Sequence, residues 1–112
     1  AEDLQYILSN VPDPHNGLTF CTGSFGSRPD NDIPGMLDRF GSRIHFVHLR
    51  NIHIVKERSF VEDNHLEGSV DMYTVMKKLL TSKPSLETSS PLPFRPDHGH
   101  RMLDDLKKEK RK

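Results

Sequence analysis

Cys21, His48 and Asp97 offer a thiolate, an imidazole and a carboxylate, three groups able to form corners of a divalent metal site. They stand 27 and 49 residues apart. Zinc-finger ligands lie only a few residues apart, so these spacings suit one ligand per strand–helix unit instead. His98 adds a proton-transfer group beside Asp97, because imidazole titrates near neutral pH. Each residue also has a plainer reading. A cysteine closing a strand is often a small buried hydrophobe, and a histidine in an apolar strand, such as His48, is equally a hydrogen-bonded core residue. The run Pro96-Asp97-His98-Gly99-His100 has the least structural purpose, since two histidines and an aspartate crowd a turn bracketed by proline and glycine. His15, His53 and His65 fall in loops and read as solvated surface residues. Gly23 and Gly26 sit in too generic a loop to predict a phosphate cradle.

The elements that must position these groups follow from periodicity. Leu4, Ile7 and Leu8 repeat at helical spacing behind Glu2 and Asp3, which predicts a short helix over residues 2–9. Two prolines and Asn16-Gly17 end it. Leu18–Cys21 reads as a strand, emptying into a loop of small residues over 22–28. Ile33, Met36, Leu37 and Phe40 return to helical spacing, with Pro34 tolerated in the first turn and Gly41 at the stop. Residues 43–49 form the clearest strand, with Phe46 and His48 on one face and His45 and Val47 on the other. A long charged loop is expected over 50–68. Ser69 then offers an N-cap for a helix buried through Met72, Val75, Met76, Leu79 and Leu80. Residues 81–93 are a linker rich in Ser, Thr and Pro, 92–100 a third extended segment, and 101–108 the start of a further helix. Strands alternating with helices predict an α/β fold with a parallel sheet. Three strands with open edges make a poor free-standing domain but suit three consecutive βα units of a (β/α)8 TIM barrel, incomplete as it stands. In such barrels the C-terminal strand ends carry the active site, and Cys21, His48 and Asp97 each fall at one of those ends.

Composition narrows the classes. Hydrophobic residues are 33% of the 112. Even with the seven glycines added, the apolar share stays below the roughly 45–50% of an ordinary globular domain. Sixteen basic and sixteen acidic residues cancel, so neither nucleic acid nor an anionic membrane is an expected partner. Five of the last six residues, 107–112, are basic and read as a solvated tail. A single cysteine forms no intrachain disulfide, which fits a reducing compartment. No run of 18 apolar residues is present, and the first residues lack the layout of a signal peptide, so a cytoplasmic location is expected.

Five motifs occur in order along the chain: Asn16-Gly-Leu-Thr-Phe-Cys-Thr-Gly-Ser24, Asp30-Asn-Asp-Ile-Pro34, Arg43-Ile-His-Phe-Val-His-Leu-Arg-Asn51, His65-Leu-Glu-Gly68 and Arg95-Pro-Asp-His-Gly-His100. Together they resemble the mannonate dehydratase family of the hexuronate pathway, over about residues 4–106. The resemblance implies a (β/α) barrel that dehydrates D-mannonate to 2-keto-3-deoxy-D-gluconate with Mn(II) or Fe(II), as a homo-oligomer when full length. It matches Cys21, His48 and Asp97 to metal ligands and His98 to a proton-transfer residue. Arg50 and Asn51 follow the ligand histidine directly, and we expect them to hold the substrate carboxylate and hydroxyls. A thiolate in the donor set favours softer ions such as Fe(II) or Zn over Mg. Family members are much longer and add a histidine ligand upstream and a tyrosine downstream. Residues 1–112 are therefore expected to be a fragment of the barrel, inactive alone. An independently folded binding module derived from the barrel, or a related sugar-acid isomerase or epimerase, are the competing readings.

Overall fold

The computed structural model describes residues 1–81 and 91–108. Most of the expected linker over 81–93, and most of the basic tail, lie outside the described residues. The chain runs through α1 (Glu2–Asn10), β1 (Leu18–Cys21), α2 (Thr22–Gly26), α3 (Ile33–Phe40), a 3-10 turn (Gly41–Arg43) and β2 (Ile44–His48). It continues with β3 (Ile52–Lys56), β4 (Ser59–Glu62), α4 (Met72–Thr81), β5 (Phe94–Arg95) and a second 3-10 turn (Leu103–Lys107). No described helix is long and apolar enough to cross a membrane.

β1, β2 and β5 form a parallel sheet in the order β1-β2-β5, so the α/β expectation is met. Within it, Phe20 lies opposite Val47 and Cys21 opposite His48, while His48 in turn lies opposite Arg95. Side chains alternate faces along a strand. Phe20 and Val47 therefore point one way, into the core beneath the helices, where neither is exposed at all. Cys21 and His48 point the other way. Phe20 and Val47 are joined in that core by Met36, Leu37 and Phe40 of α3 and by Met72 and Val75 of α4. The helix periodicity is thus what holds the sheet in place.

Local chemistry sets the helix ends. The Asp32 carboxylate accepts a hydrogen bond from the Gly35 amide at 3.1 Å, capping α3, with Pro34 in the first turn. α4 begins two residues later than expected. Its cap is Asp71, which accepts from the Thr74 amide at 3.0 Å and the Thr74 hydroxyl at 2.6 Å. Ser69 is instead bonded to β3, its hydroxyl accepting from the Ile54 amide at 3.0 Å. The predicted stripe of α1 is also narrower, for Leu8 is buried while Ile7 is half exposed. Of the extended segment expected over 92–100, only Phe94 and Arg95 pair as strand, and residues 103–107 form a 3-10 turn rather than an α-helix.

The largest departure lies in the predicted loop over 50–68. Residues 52–62 form an antiparallel hairpin, β3 against β4, with Ile52 opposite Glu62 and Lys56 opposite Ser59. Its turn holds Arg58 at φ 60°, a left-handed position where asparagine or glycine is usual. Lys56-Glu57-Arg58 therefore gave no turn signal. Two contacts fasten the hairpin to the sheet. Arg50 forms a two-pronged pair with Glu62, its Nε lying 3.1 and 3.0 Å from the two carboxylate oxygens and its Nη2 closing the second prong. Below it, Asn51 is fully buried. Its amide donates to the carbonyls of His65 (2.8 Å) and Val70 (2.9 Å). Its side-chain oxygen accepts from the amides of Ile52 (2.9 Å) and Val70 (3.0 Å). Gly68 permits this, since a Cβ there would lie 2.3 Å from the Asn51 oxygen.

Asn51→Ala strands two carbonyls and two amides in the interior. It is expected to lower the unfolding free energy of the 112-residue chain by about 3 kcal/mol, against about 0.5 kcal/mol or less for Asn64→Ala on the surface, as read by urea denaturation. Glu62 gives a pH dependence. The hydrogen bond from Arg50, and then its charge, hold the Glu62 carboxyl below the ordinary value of 4.5. Its contribution is therefore complete above pH 4.5 and is lost as pH falls through the lowered value. Denaturation series from pH 7 to 3 should show wild-type protein losing more stability on the acid side than Glu62→Gln.

Candidate metal centre

Three strand ends supply the cluster. Cys21 closes β1, His48 closes β2, and Asp97 follows β5 by one residue beyond Pro96. The parallel register sets Cys21 beside His48 and carries the chain after Arg95 over the same edge. Thr22 reinforces the alignment. Its buried hydroxyl lies 3.1 Å from the His48 carbonyl and 2.5 Å from the Arg50 carbonyl, joining the ends of β1 and β2.

One donor atom from each of Cys21, His48 and Asp97 falls within 4.8 Å of the other two. Asp97 Oδ2 lies 4.0 Å from Cys21 Sγ and 3.4 Å from His48 Nδ1. Ligands about 2.0–2.3 Å from a shared cation lie about 3–4 Å from one another, so the donor set fits a divalent ion with little rearrangement. The two carboxylate oxygens of Asp97 have separate partners. Arg95 Nη2 donates to Oδ1 at 2.7 Å, while Oδ2 faces the histidine and the thiol. Burial alone would push the Asp97 carboxyl up. The Arg95 hydrogen bond and the charges of His48 and His98 outweigh it and hold the group below the ordinary carboxylate value. An ionised aspartate, with only 6% of its side chain exposed, is a ready ligand. Phe46 stands edge-on to the His48 ring, with centroids 5.4 Å apart at 89°, and fixes the ring's plane.

The remaining expected site residues divide. His98 is 65% exposed at the rim, its Nε2 3.6 Å from Asp97 Oδ2. Arg50 lies alongside, with 15% of its side chain exposed, its guanidinium 5.6 Å over the Phe60 ring and engaged by Glu62. Its stem crosses Gly23 so closely that a Cβ there would meet Arg50 Cγ at 2.6 Å. Asn51 is not brought to the cluster. Fully buried, with amide and oxygen both engaged, it has no group left for a substrate hydroxyl. Its place three residues after His48, read in sequence as a position for substrate contact, is instead one of internal bracing.

Three residues near the centre escaped the sequence reading. Arg95 orients Asp97, and its place two residues before an aspartate in a proline-containing turn was an available signal. Glu62 binds Arg50 across the unforeseen hairpin and carried none. His65, expected on the surface, is partly buried and sets its Nε2 3.2 Å from the Pro96 carbonyl oxygen. His15 and His53 are exposed, beside Asp13 and Asp63 respectively.

Comparison with known proteins places the chain in a family. The D-mannonate dehydratase (UxuA) family model matches residues 1–111. The chain is 47% identical over 110 residues to a mannonate dehydratase of Saccharophagus degradans, covering 95% of this chain and 28% of that protein. It is 46% identical over 112 residues to mannonate dehydratase 2 of Agrobacterium fabrum, covering 96% and 28%. With a mannonate dehydratase of Rhizobium meliloti it shares 47% identity over 113 residues, covering 95% and 28%. The chain thus spans 28% of the length of these curated relatives. With a match running almost end to end, this chain belongs to the D-mannonate dehydratase family.

Proposed function

We propose that this chain carries the metal-binding and proton-transfer part of a mannonate dehydratase catalytic face, built on three consecutive βα units of a (β/α)8 barrel. The observation that carries the reading is the convergence of Cys21, His48 and Asp97 from three separate strand ends to within 4.8 Å. Family membership and the ionised, partly desolvated Asp97 support it. The whole enzyme would act on D-mannonate as a cytoplasmic homo-oligomer.

Dehydration requires that the proton on C2 leave, that the C3 hydroxyl depart as water after gaining a proton, and that the resulting enol become the 2-keto acid. Cys21, His48 and Asp97 would hold a divalent cation, Mn(II) or Fe(II), which would supply Lewis-acid stabilisation of the charge that builds on the substrate carboxylate. His98 stands at the open rim, 3.6 Å from Asp97, where its imidazole would take or give the proton. Glu62 engages Nε and Nη2 of Arg50, and Nη1 is the remaining nitrogen with which Arg50 would meet the substrate carboxylate. Asn51 contributes by anchoring the segment that follows β2. Three donors leave a divalent ion's coordination incomplete, so the 112-residue chain is expected to bind metal without turning over D-mannonate.

Thermal unfolding of the chain with and without Mn(II) tests the site. A ligand that binds only the folded state stabilises it by about 2.7 kcal/mol at one hundred times its dissociation constant, so Mn(II) should raise the midpoint. Cys21→Ser, His48→Ala and Asp97→Asn should each remove most of that rise, while His98→Gln should keep it. An equal rise in all five proteins would place the metal elsewhere. Measurable dehydration of D-mannonate by the 112-residue chain would contradict the expected inactivity.

A further inference from the structure

We propose that His65 is a positioning residue for Asp97, holding the metal-facing carboxylate in place from outside the cluster. The inference rests on the metal reading above and adds to it a residue that touches none of the three donor side chains.

Asp97 sits at φ 67°, a left-handed conformation uncommon for residues with a side chain, though aspartate adopts it more readily than most. The contacts here are specific. The Arg95 carbonyl accepts from the Leu49 amide at 2.8 Å, which fixes the peptide entering Pro96. The Pro96 carbonyl lies 3.2 Å from His65 Nε2. That oxygen shares a rigid plane with the Asp97 nitrogen. Fixing it therefore fixes the plane about which the Asp97 φ is measured, and with it the direction of the Cβ and carboxylate. The ring must present its Nε2 hydrogen to make this bond.

His65 is itself anchored. Its own carbonyl accepts from Asn51 Nδ2 at 2.8 Å, and Asn51 follows β2 by three residues from His48. A continuous path thus joins the segment after the His48 strand to the Asp97 turn: Asn51 to the His65 backbone, and the His65 ring to the Pro96 carbonyl. A second contact follows Asp97 in the chain, His100 Nε2 lying 3.6 Å from Asp63 Oδ1. The loop after the hairpin therefore clamps the turn on both sides of Asp97. Without His65 the Pro96–Asp97 peptide loses this restraint, and only the Arg95 hydrogen bond to Oδ1 and the contacts at the ends of the turn are left to keep Oδ2 at 3.4 Å from His48 and 4.0 Å from Cys21.

Co(II) titration of the 112-residue chain tests this, read by the near-ultraviolet thiolate-to-cobalt absorption that requires Cys21. Losing an outer partner of a metal ligand typically weakens binding by about 10–100-fold. His65→Ala should do so while the metal-free thermal midpoint stays close to wild type. His65→Gln, whose amide can still donate to the Pro96 carbonyl, should recover most of the affinity, which a purely structural role for the imidazole would not allow. Wild-type affinity in His65→Ala, or a His65→Gln protein as weak as the alanine variant, would overturn the proposal while leaving the metal reading intact. Absence of the absorption in wild-type protein would overturn the metal reading. Amide hydrogen exchange at Asp97 and His98 in metal-free protein would then decide for His65: faster exchange in His65→Ala upholds the clamp, and unchanged exchange overturns it.

Discussion

Parallel pairing of β1 with β2 places Cys21 directly opposite His48, and nearly everything else about the site follows from that register. Alternation along a strand has a period of two residues, so a slip by one position would exchange His48 for Val47 or Leu49 beside the thiol. It would also drive an imidazole into the core now filled by Phe20 and Val47. Burial of these two side chains under α3 and α4 is therefore what specifies the site, although neither touches it. Thr22 adds a second lock by meeting the His48 and Arg50 carbonyls at the strand ends.

The third donor is held differently. β5 pairs over only two residues, too few to fix a carboxylate two positions further on. Asp97 instead depends on polar contacts from around it: Arg95 on one oxygen, and His65 on the carbonyl that precedes it. The His65 contact traces back to Asn51, three of whose hydrogen bonds fasten the segment after β2 to the loop before α4. Packing positions Cys21 and His48, whereas a hydrogen-bonded network positions Asp97. The two kinds of support differ in robustness, since a hydrogen bond to a buried group is lost whole when one partner is removed.

The sheet was legible because its strands are apolar and alternate, and α3 because its cap, proline and buried stripe agree. The hairpin was not, since a charged turn with Arg58 in a left-handed conformation carries no glycine or asparagine to announce it. Ser69 read as a cap because the residue type is right, yet Asp71 sits one residue before the helix and binds its first turn more strongly. Cys21, His48 and Asp97 could be set on strand ends from pattern alone, but their mutual distances could not. Asn51, Glu62 and His65 illustrate the limit: their parts arise from contacts through space across an element the pattern did not reveal. Burial, which turned Asn51 from an expected substrate contact into an internal brace, is a property of the fold rather than of the residue.

X-ray absorption at the metal edge of the protein loaded with one equivalent of Co(II) tests the central claim most directly, because it reads the donor atoms themselves. One sulfur scatterer at about 2.3 Å with nitrogen and oxygen scatterers at about 2.0–2.2 Å is the expected shell, the sulfur contribution vanishing in Cys21→Ser. A first shell of light atoms alone in the wild-type protein would contradict a centre built from Cys21, His48 and Asp97.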